Sequence, residues 1–333
     1  MSHKAVKRIL NDIKQYKNSD LKENGIYIIF NEDNIFNIKA MIVGPSDTPY
    51  SYGYYFFDIN FPNNYPIKNP KVDFCTLDER VRFNPNLYKG GKVCLSILGT
   101  WSGPGWTSVM TLNTVLLSLQ TLLCENPVNN EPGLENIMRD DARAVSYNNL
   151  ITYYNFEVAM LKIFMKMPVS FEDFRDDCVK EFFKNYDAIK DKLHALLSSE
   201  YNNKEYTSKF FGMHCRMEYG QLISYFENEY KYLLNDYERI IEEEERNKNL
   251  STDDSGAGAA SGTTECPEEE LPMKTGKIDS AVLNSNRKCP YDAASYYHVD
   301  DKEEGLDGKM WVVKQRTNGV KYWKRMVLNT GKE

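Results

Sequence analysis

No stretch of this 333-residue sequence approaches the roughly eighteen consecutive apolar residues that a membrane helix needs, so a membrane-spanning role is not expected. Its opening, MSHKAVKRIL, is charged and amphipathic and lacks the apolar centre of a secretion signal. The seven cysteines are an odd number with no close CxxC pair, which excludes a disulfide framework and fits a reducing compartment, the cytosol or the nucleus. Positive charge is not in surplus: 41 Lys and Arg face 48 Asp and Glu, and a net charge of −7 argues against nucleic-acid binding by the whole protein. Only four histidines are present, and His194 and His214 have no companion ligands at metal spacing. Both read as structural or surface residues, and neither metal nor cofactor is expected. Internal repeats are absent. With 41% hydrophobic residues, the chain can build a domain of about 150 residues plus one or two attachments.

What is present is organised around Phe83 to Pro132. The segment begins with the turn-former triplet Asn84-Pro85-Asn86. Cys94 follows a Gly90-Gly91 turn and lies in the short apolar run Val93 to Leu98. A Gly/Trp-rich loop, Gly99 to Trp106, precedes a helical pattern with Leu112, Leu116, Leu119 and Leu123 on one face. Upstream, Ser2 caps a helix over 2–17 with Val6, Leu10 and Ile13 on one face. Strand patterns follow at Tyr27–Phe30, at Ile38, Ala40 and Ile42, at Phe57, Ile59 and Phe61, and at Val72–Cys75, with turn residues between them. The expected class is α+β, a four-stranded antiparallel meander packed on helices.

Asn84-Pro85-Asn86, the spacing to Cys94 and the helix behind it resemble the active-site segment of ubiquitin-conjugating enzymes, whose triplet is His-Pro-Asn. Pro85, Asn86 and Cys94 match; Asn84 departs. GPSDTPYSYGYYFFDINFPNNYPIKNPKV is similar to the family's second-to-fourth strand region. LGTW, then ENP and NEPG, resemble the large members that carry a C-terminal extension. The resemblance implies a thioester on Cys94, carrying ubiquitin or a ubiquitin-like modifier received from a ubiquitin-activating enzyme and bound for a protein substrate or a ubiquitin ligase. A thiolate is the strongest side-chain nucleophile near neutral pH, and at a pKa of about 8.5 a few per cent is ionised without a histidine. Asn86 offers a neutral N–H to the oxyanion formed by amine attack, and losing one such donor typically costs roughly 10²–10³-fold in rate. The acidic residue that aligns the acceptor lysine matches Glu131, with Asn130 as the other position. Lys4, Lys7 and Arg8 on the first helix correspond to the face that meets the activating enzyme. Ile67, Lys68 and Val109 fall on the two loops that dock ligases, although the second lacks the usual Pro-Ala. Two rivals stand beside this: a silent ubiquitin-binding variant of the same fold, which typically lacks the cysteine, and a cysteine hydrolase, for which no motif sets a histidine against Cys94. Cys75, Cys124, Cys178 and Cys215 read as small buried hydrophobes.

The domain closes near Pro168, after a helix over Leu150–Met167, so the catalytic domain is expected over 1–168. A helical extension covers 169–246, rich in Phe and Tyr. Residues 247–288, including GAGAASGTTE, have the composition of a flexible acidic linker. Residues 289–333 form a small basic aromatic module, with Met310–Val313 and Val320–Trp323 flanking Thr317-Asn318-Gly319, a hairpin signal.

Overall fold

The computed structural model describes residues 3–31, 34–253, 298–304, 310–315 and 321–325. They fall into two compact units, residues 1–258 and residues 259–333.

Helix α1 spans His3–Lys17, and the expected cap Ser2 lies outside the described residues. Its buried stripe is Ala5, Ile9, Ile13 and Tyr16, whereas Leu10, expected inside, is half exposed. Asp12 causes the rotation. Its carboxylate is fully buried and accepts hydrogen bonds from Arg8 Nε at 2.9 Å, from the Leu112 backbone N–H at 3.1 Å and from the Tyr65 hydroxyl. A hydrophobic pattern puts a carboxylate outside; only its buried partners explain why it faces in.

Strands β1 (Ile26–Asn31), β2 (Asn34–Val43), β3 (Tyr54–Asn60) and β4 (Lys71–Phe74) form the expected antiparallel meander in the order β1-β2-β3-β4. Ile28 pairs with Ala40, Ala40 with Phe57, and Phe57 with Phe74, which fixes the face of every side chain. On one face, Tyr55 and Phe74 meet Phe83 of the Cys94 segment, ring centres 5.3 and 6.3 Å apart. Gly53, just before β3, has no alternative: a Cβ there would lie 2.0 Å from Asn155 Oδ1.

Helix α2 (Leu112–Gln120) starts at a capping box in which Thr111 and Thr114 bond each other's backbone N–H, and it buries Leu112, Val115, Leu116 and Leu119. The helix expected over Leu150–Met167 is three pieces: α3 (Ala142–Phe156), capped by Asp141, a π-helical turn over Glu157–Leu161, and α4 (Lys162–Met165). Asp141, an N-cap outside the apolar run, starts the helix earlier than hydrophobicity marks.

Past Pro168, a 3₁₀ segment (Val169–Phe174), α5 (Arg175–Lys184), α6 (Tyr186–Leu197), the short hairpin β5 (Glu205–Thr207) with β6 (His214–Arg216), and α7 (Tyr219–Asp253) make up the extension. α7 runs beyond Asn247 into the segment expected as linker, and the rest of that segment lies outside the described residues. The extension covers the sheet's other face. Phe171 stacks on Phe56 at 4.8 Å, Phe164 of α4 meets Tyr54 at 5.5 Å, the Tyr54 hydroxyl donates to Cys178 O at 2.9 Å, and the Tyr27 hydroxyl donates to Glu181 Oε1 at 2.6 Å. Aromatic rings also join α5 to α7, with Phe183 and Tyr237 stacked at 4.6 Å. Both faces of the sheet are therefore interior.

In the second unit, β7 (Lys302–Glu304), β8 (Met310–Gln315) and β9 (Lys321–Arg325) form a three-stranded antiparallel sheet in sequence order. The expected hairpin is the β8–β9 pair; β7 is an addition. Thr317-Asn318-Gly319 lie outside the described residues.

Candidate active site

The Cys94 segment doubles back on itself. Gly91, at φ 89°, closes a turn in which Tyr88 N–H bonds Lys92 O at 2.9 Å, and Leu87 and Val93 pair as an isolated bridge. The return strand brings Cys94 opposite Asn86, and the Cys94 N–H donates to Asn86 O at 2.9 Å. Two residues eight apart in sequence thus become direct neighbours. Thr100 brackets the cysteine: its hydroxyl donates to Val93 O at 2.8 Å and accepts from Leu95 N–H at 3.0 Å.

Asn84 holds the turn from beneath. Fully buried, it donates from Nδ2 to Leu122 O at 2.7 Å and accepts the Asn86 N–H on Oδ1 at 2.8 Å. Asn84 therefore ties the turn both to Leu122 and to Asn86. Asn86 itself is largely buried, and its Oδ1 has no partner among the described residues.

Cys94 is only 1% exposed. A nucleophilic thiol needs access from solvent, and here the sulfur is covered. Of the two tryptophans in the following loop, only Trp106 is an anchor: its Nε1 donates to Pro66 O at 2.7 Å and its ring lies 5.8 Å from Tyr65. Trp101 stays exposed.

The remaining described cysteines suit packing better than chemistry. Cys178 is buried, but Cys75, Cys124 and Cys215 are half-buried rather than buried as expected. Burial pushes the Cys75 and Cys215 thiols up to about 11, raises Cys124, and drives Cys178 well above the ordinary thiol range. Little thiolate forms on any of these four at neutral pH.

Glu131 follows the 3₁₀ turn Pro127–Asn130, and its N–H bonds Val128 O at 3.0 Å. Its carboxylate makes no hydrogen bond or ion pair among the described residues, and the hydroxyl of the buried Tyr147 donates to Arg82 O at 2.8 Å beside the Asn84 turn. Asn130 Nδ2 is buried without a partner among the described residues.

On α1, Lys4 and Lys7 are exposed. Arg8 departs from the expected free basic face: besides Asp12 it bonds Met110 O at 2.8 Å and Ser108 O at 3.3 Å. It pins the second loop to the helix. Ile67 and Val109 are 78% and 82% exposed, on loops that Trp106 ties together, and Lys68 and Leu10 are exposed as well. His194 and His214 are exposed, and among the described residues no group of three or more His, Cys, Asp or Glu is placed to hold a metal ion.

The family model for ubiquitin-conjugating enzymes matches residues 8–151, which contain the meander, Asn86, Cys94 and Glu131. Residues 8–151 thus form a ubiquitin-conjugating enzyme family domain. The chain is 39% identical over 199 residues to ubiquitin-conjugating enzyme E2 Z of Xenopus tropicalis, covering 58% of this chain and 62% of that protein. The human E2 Z is 40% identical over 175 residues, covering 51% of this chain and 49% of its own. A probable ubiquitin-conjugating enzyme of Caenorhabditis elegans is 38% identical over 188 residues, 54% of this chain and 25% of that one. The chain thus spans about half to three-fifths of the E2 Z relatives it matches. In terms of the conjugating-enzyme family, the sequence exposes Pro85, Asn86 and Cys94 directly. It does not expose Arg82, Tyr147 or Phe211, which surround the turn from other elements. The pair Phe210-Phe211 before Gly212 was the available signal.

Proposed function

We propose that this protein accepts ubiquitin or a ubiquitin-like modifier from an activating enzyme as a thioester on Cys94, then passes it to a substrate lysine or a ligase. The observation that carries this is the Cys94 N–H to Asn86 O bond, which sets thiol and side-chain amide on facing positions of one hairpin. In the first step the Cys94 thiolate attacks the incoming thioester carbonyl, and the activating enzyme's thiol leaves. In the second, a lysine amine attacks, the amide of Asn86 donates to the oxyanion, and the Cys94 thiolate departs as an isopeptide bond forms. Glu131 assists the amine, whose pKa of about 10.4 requires loss of a proton before attack. Lys4 and Lys7 face the activating enzyme. Ile67, Lys68 and Val109 present an apolar patch with a cation at its edge, suited to a ligase. The cytosol or nucleus, where thiols stay reduced, is the proposed location.

Incubation with an activating enzyme, ATP and modifier tests the reading. The expected product is a reductant-labile adduct that becomes a reductant-resistant ester in Cys94→Ser and vanishes in Cys94→Ala. An adduct that persists in Cys94→Ala, or none with any activating enzyme, would overturn it.

A further inference from the structure

Arg82 is gripped from three parts of the chain. Its guanidinium carbon lies 3.7 Å from the ring centre of Tyr88, in the Cys94 segment, and 4.2 Å from that of Phe211, in the β5–β6 loop of the extension. Its backbone N–H meets the Met213 sulfur at 3.2 Å, and its carbonyl accepts the hydroxyl of Tyr147 on α3 at 2.8 Å. One terminal nitrogen donates to Pro85 O, while Nε is buried without a partner among the described residues. Phe211 is itself strained: it adopts φ 58°, a region that non-glycine residues hold only where their surroundings impose it. The imposing contacts are visible, since Phe211 also lies edge-on to Tyr147 at 5.9 Å.

The contact to Pro85 O matters because of where that oxygen sits. The Pro85–Asn86 peptide is tied at both ends, its oxygen by Arg82 and its N–H by Asn84 Oδ1 at 2.8 Å. Rotation of this peptide is the backbone motion that would swing the Asn86 side chain. With both ends tied, the peptide plane has one orientation, and so does the bond on which the Asn86 side chain is carried.

Resting on the thioester mechanism above, we propose that Arg82, clamped by Phe211 of the extension and by Tyr88, is a positioning residue that fixes the Pro85–Asn86 peptide and so aims the Asn86 amide for amine attack. The extension then completes the active site as well as packing on the sheet. Planar stacking on two rings together with a directed hydrogen bond is what a guanidinium supplies and an ammonium does not.

The test uses the full chain, charged with modifier and chased with free lysine over a range of concentrations. Arg82→Ala and Phe211→Ala accumulate the Cys94 thioester, but their maximal discharge rate falls about 10-fold or more, the scale of a misplaced catalytic group. The lysine concentration giving half-maximal rate does not change. Phe211→Tyr, which keeps a ring over the guanidinium, restores most of the rate. In an Asn86→Ala background the same substitutions slow discharge no further, because they act through Asn86. If Arg82→Ala fails to fold, the half-buried Phe211 pair, Ala against Tyr, carries the comparison. Parent-like discharge by Phe211→Ala, or losses that multiply with Asn86→Ala, overturns the positioning role while leaving the thioester reading intact. A parent protein that never charges removes both.

Discussion

Asn84 puts one amide to two uses, bonding Leu122 O and the Asn86 N–H in a fully buried place. Asn84→Ala leaves both groups unpaired, and each is expected to cost about 1–3 kcal/mol, read as a lower urea midpoint, with slower lysine discharge in the charged protein. If stability and discharge both match the parent, the Asn84 bonds are incidental to the turn. Asp78 gives the pH-dependent counterpart. Burial works to raise its carboxyl, but hydrogen bonds from the Arg80 side chain and backbone and from Lys162 outweigh this and hold it well below the usual carboxylate range. Its folded pKa is depressed, so the stability it adds is present above the unfolded pKa of about 3.9 and is lost as pH falls through the folded value. The urea midpoints of parent and Asp78→Asn should differ at pH 7, and the gap should begin to narrow only as pH falls below about 4. A gap that widens on acidification would contradict the ion-pair account. At this scale the sequence reveals what chemistry ties to spacing, namely Pro85, Asn86 and Cys94. Arg82 and Phe211 leave no local pattern, because a clamp between distant segments has no period to follow.

Among elements, the sheet shows how far hydrophobic patterning reaches. Alternation in β2 and β3 and short apolar runs in β1 and β4 located the four strands of the meander, and they predicted one face packed on helices. The second covered face was written in Tyr54 and Phe56, which make the β3 run apolar on both sides, a signature of strands buried on both faces. Phe171 stacks there and Phe164 packs edge-on, so the change of motif at Pro168 marks no gap in the core. Phe171→Ala should cost about 3–5 kcal/mol, the usual scale for a buried phenylalanine, and should lower the single unfolding transition of the 1–258 unit. A separate early transition of the extension, with the sheet unaffected, would show instead that the two fold independently. A chain ending at Met167 should aggregate, since Met41, Tyr54 and Phe56 lose their cover. The broken helix over 142–165 was less legible, because its start is set by Asp141, outside the apolar run, and its π-helical turn leaves the apolar run unbroken.

For the molecule as a whole, all the proposed chemistry lies in the first unit. Residues 1–258 should therefore charge at the rate of the full chain in one time course. Slower charging by that unit, at equal ellipticity, would place the second unit within the active assembly. The second unit is cationic along β8 and β9, with Lys314, Lys321, Lys324 and Arg325, whereas the chain carries −7 overall. The hairpin was legible from Asn318-Gly319 between aromatic runs, but β7 was not, since three residues, Lys302–Glu304, with no apolar member carry no strand pattern.

The covered outer face also sets a timetable for synthesis. Tyr54 waits for Cys178, 124 residues later, and Tyr27 for Glu181, 154 residues later. At about 5–20 residues per second, a ribosome needs on the order of ten seconds to deliver those partners. Throughout that interval the nascent meander shows the solvent an aromatic sheet with nothing to cover it. A chaperone that holds emerging chains has its natural client window here, closing when α5 docks.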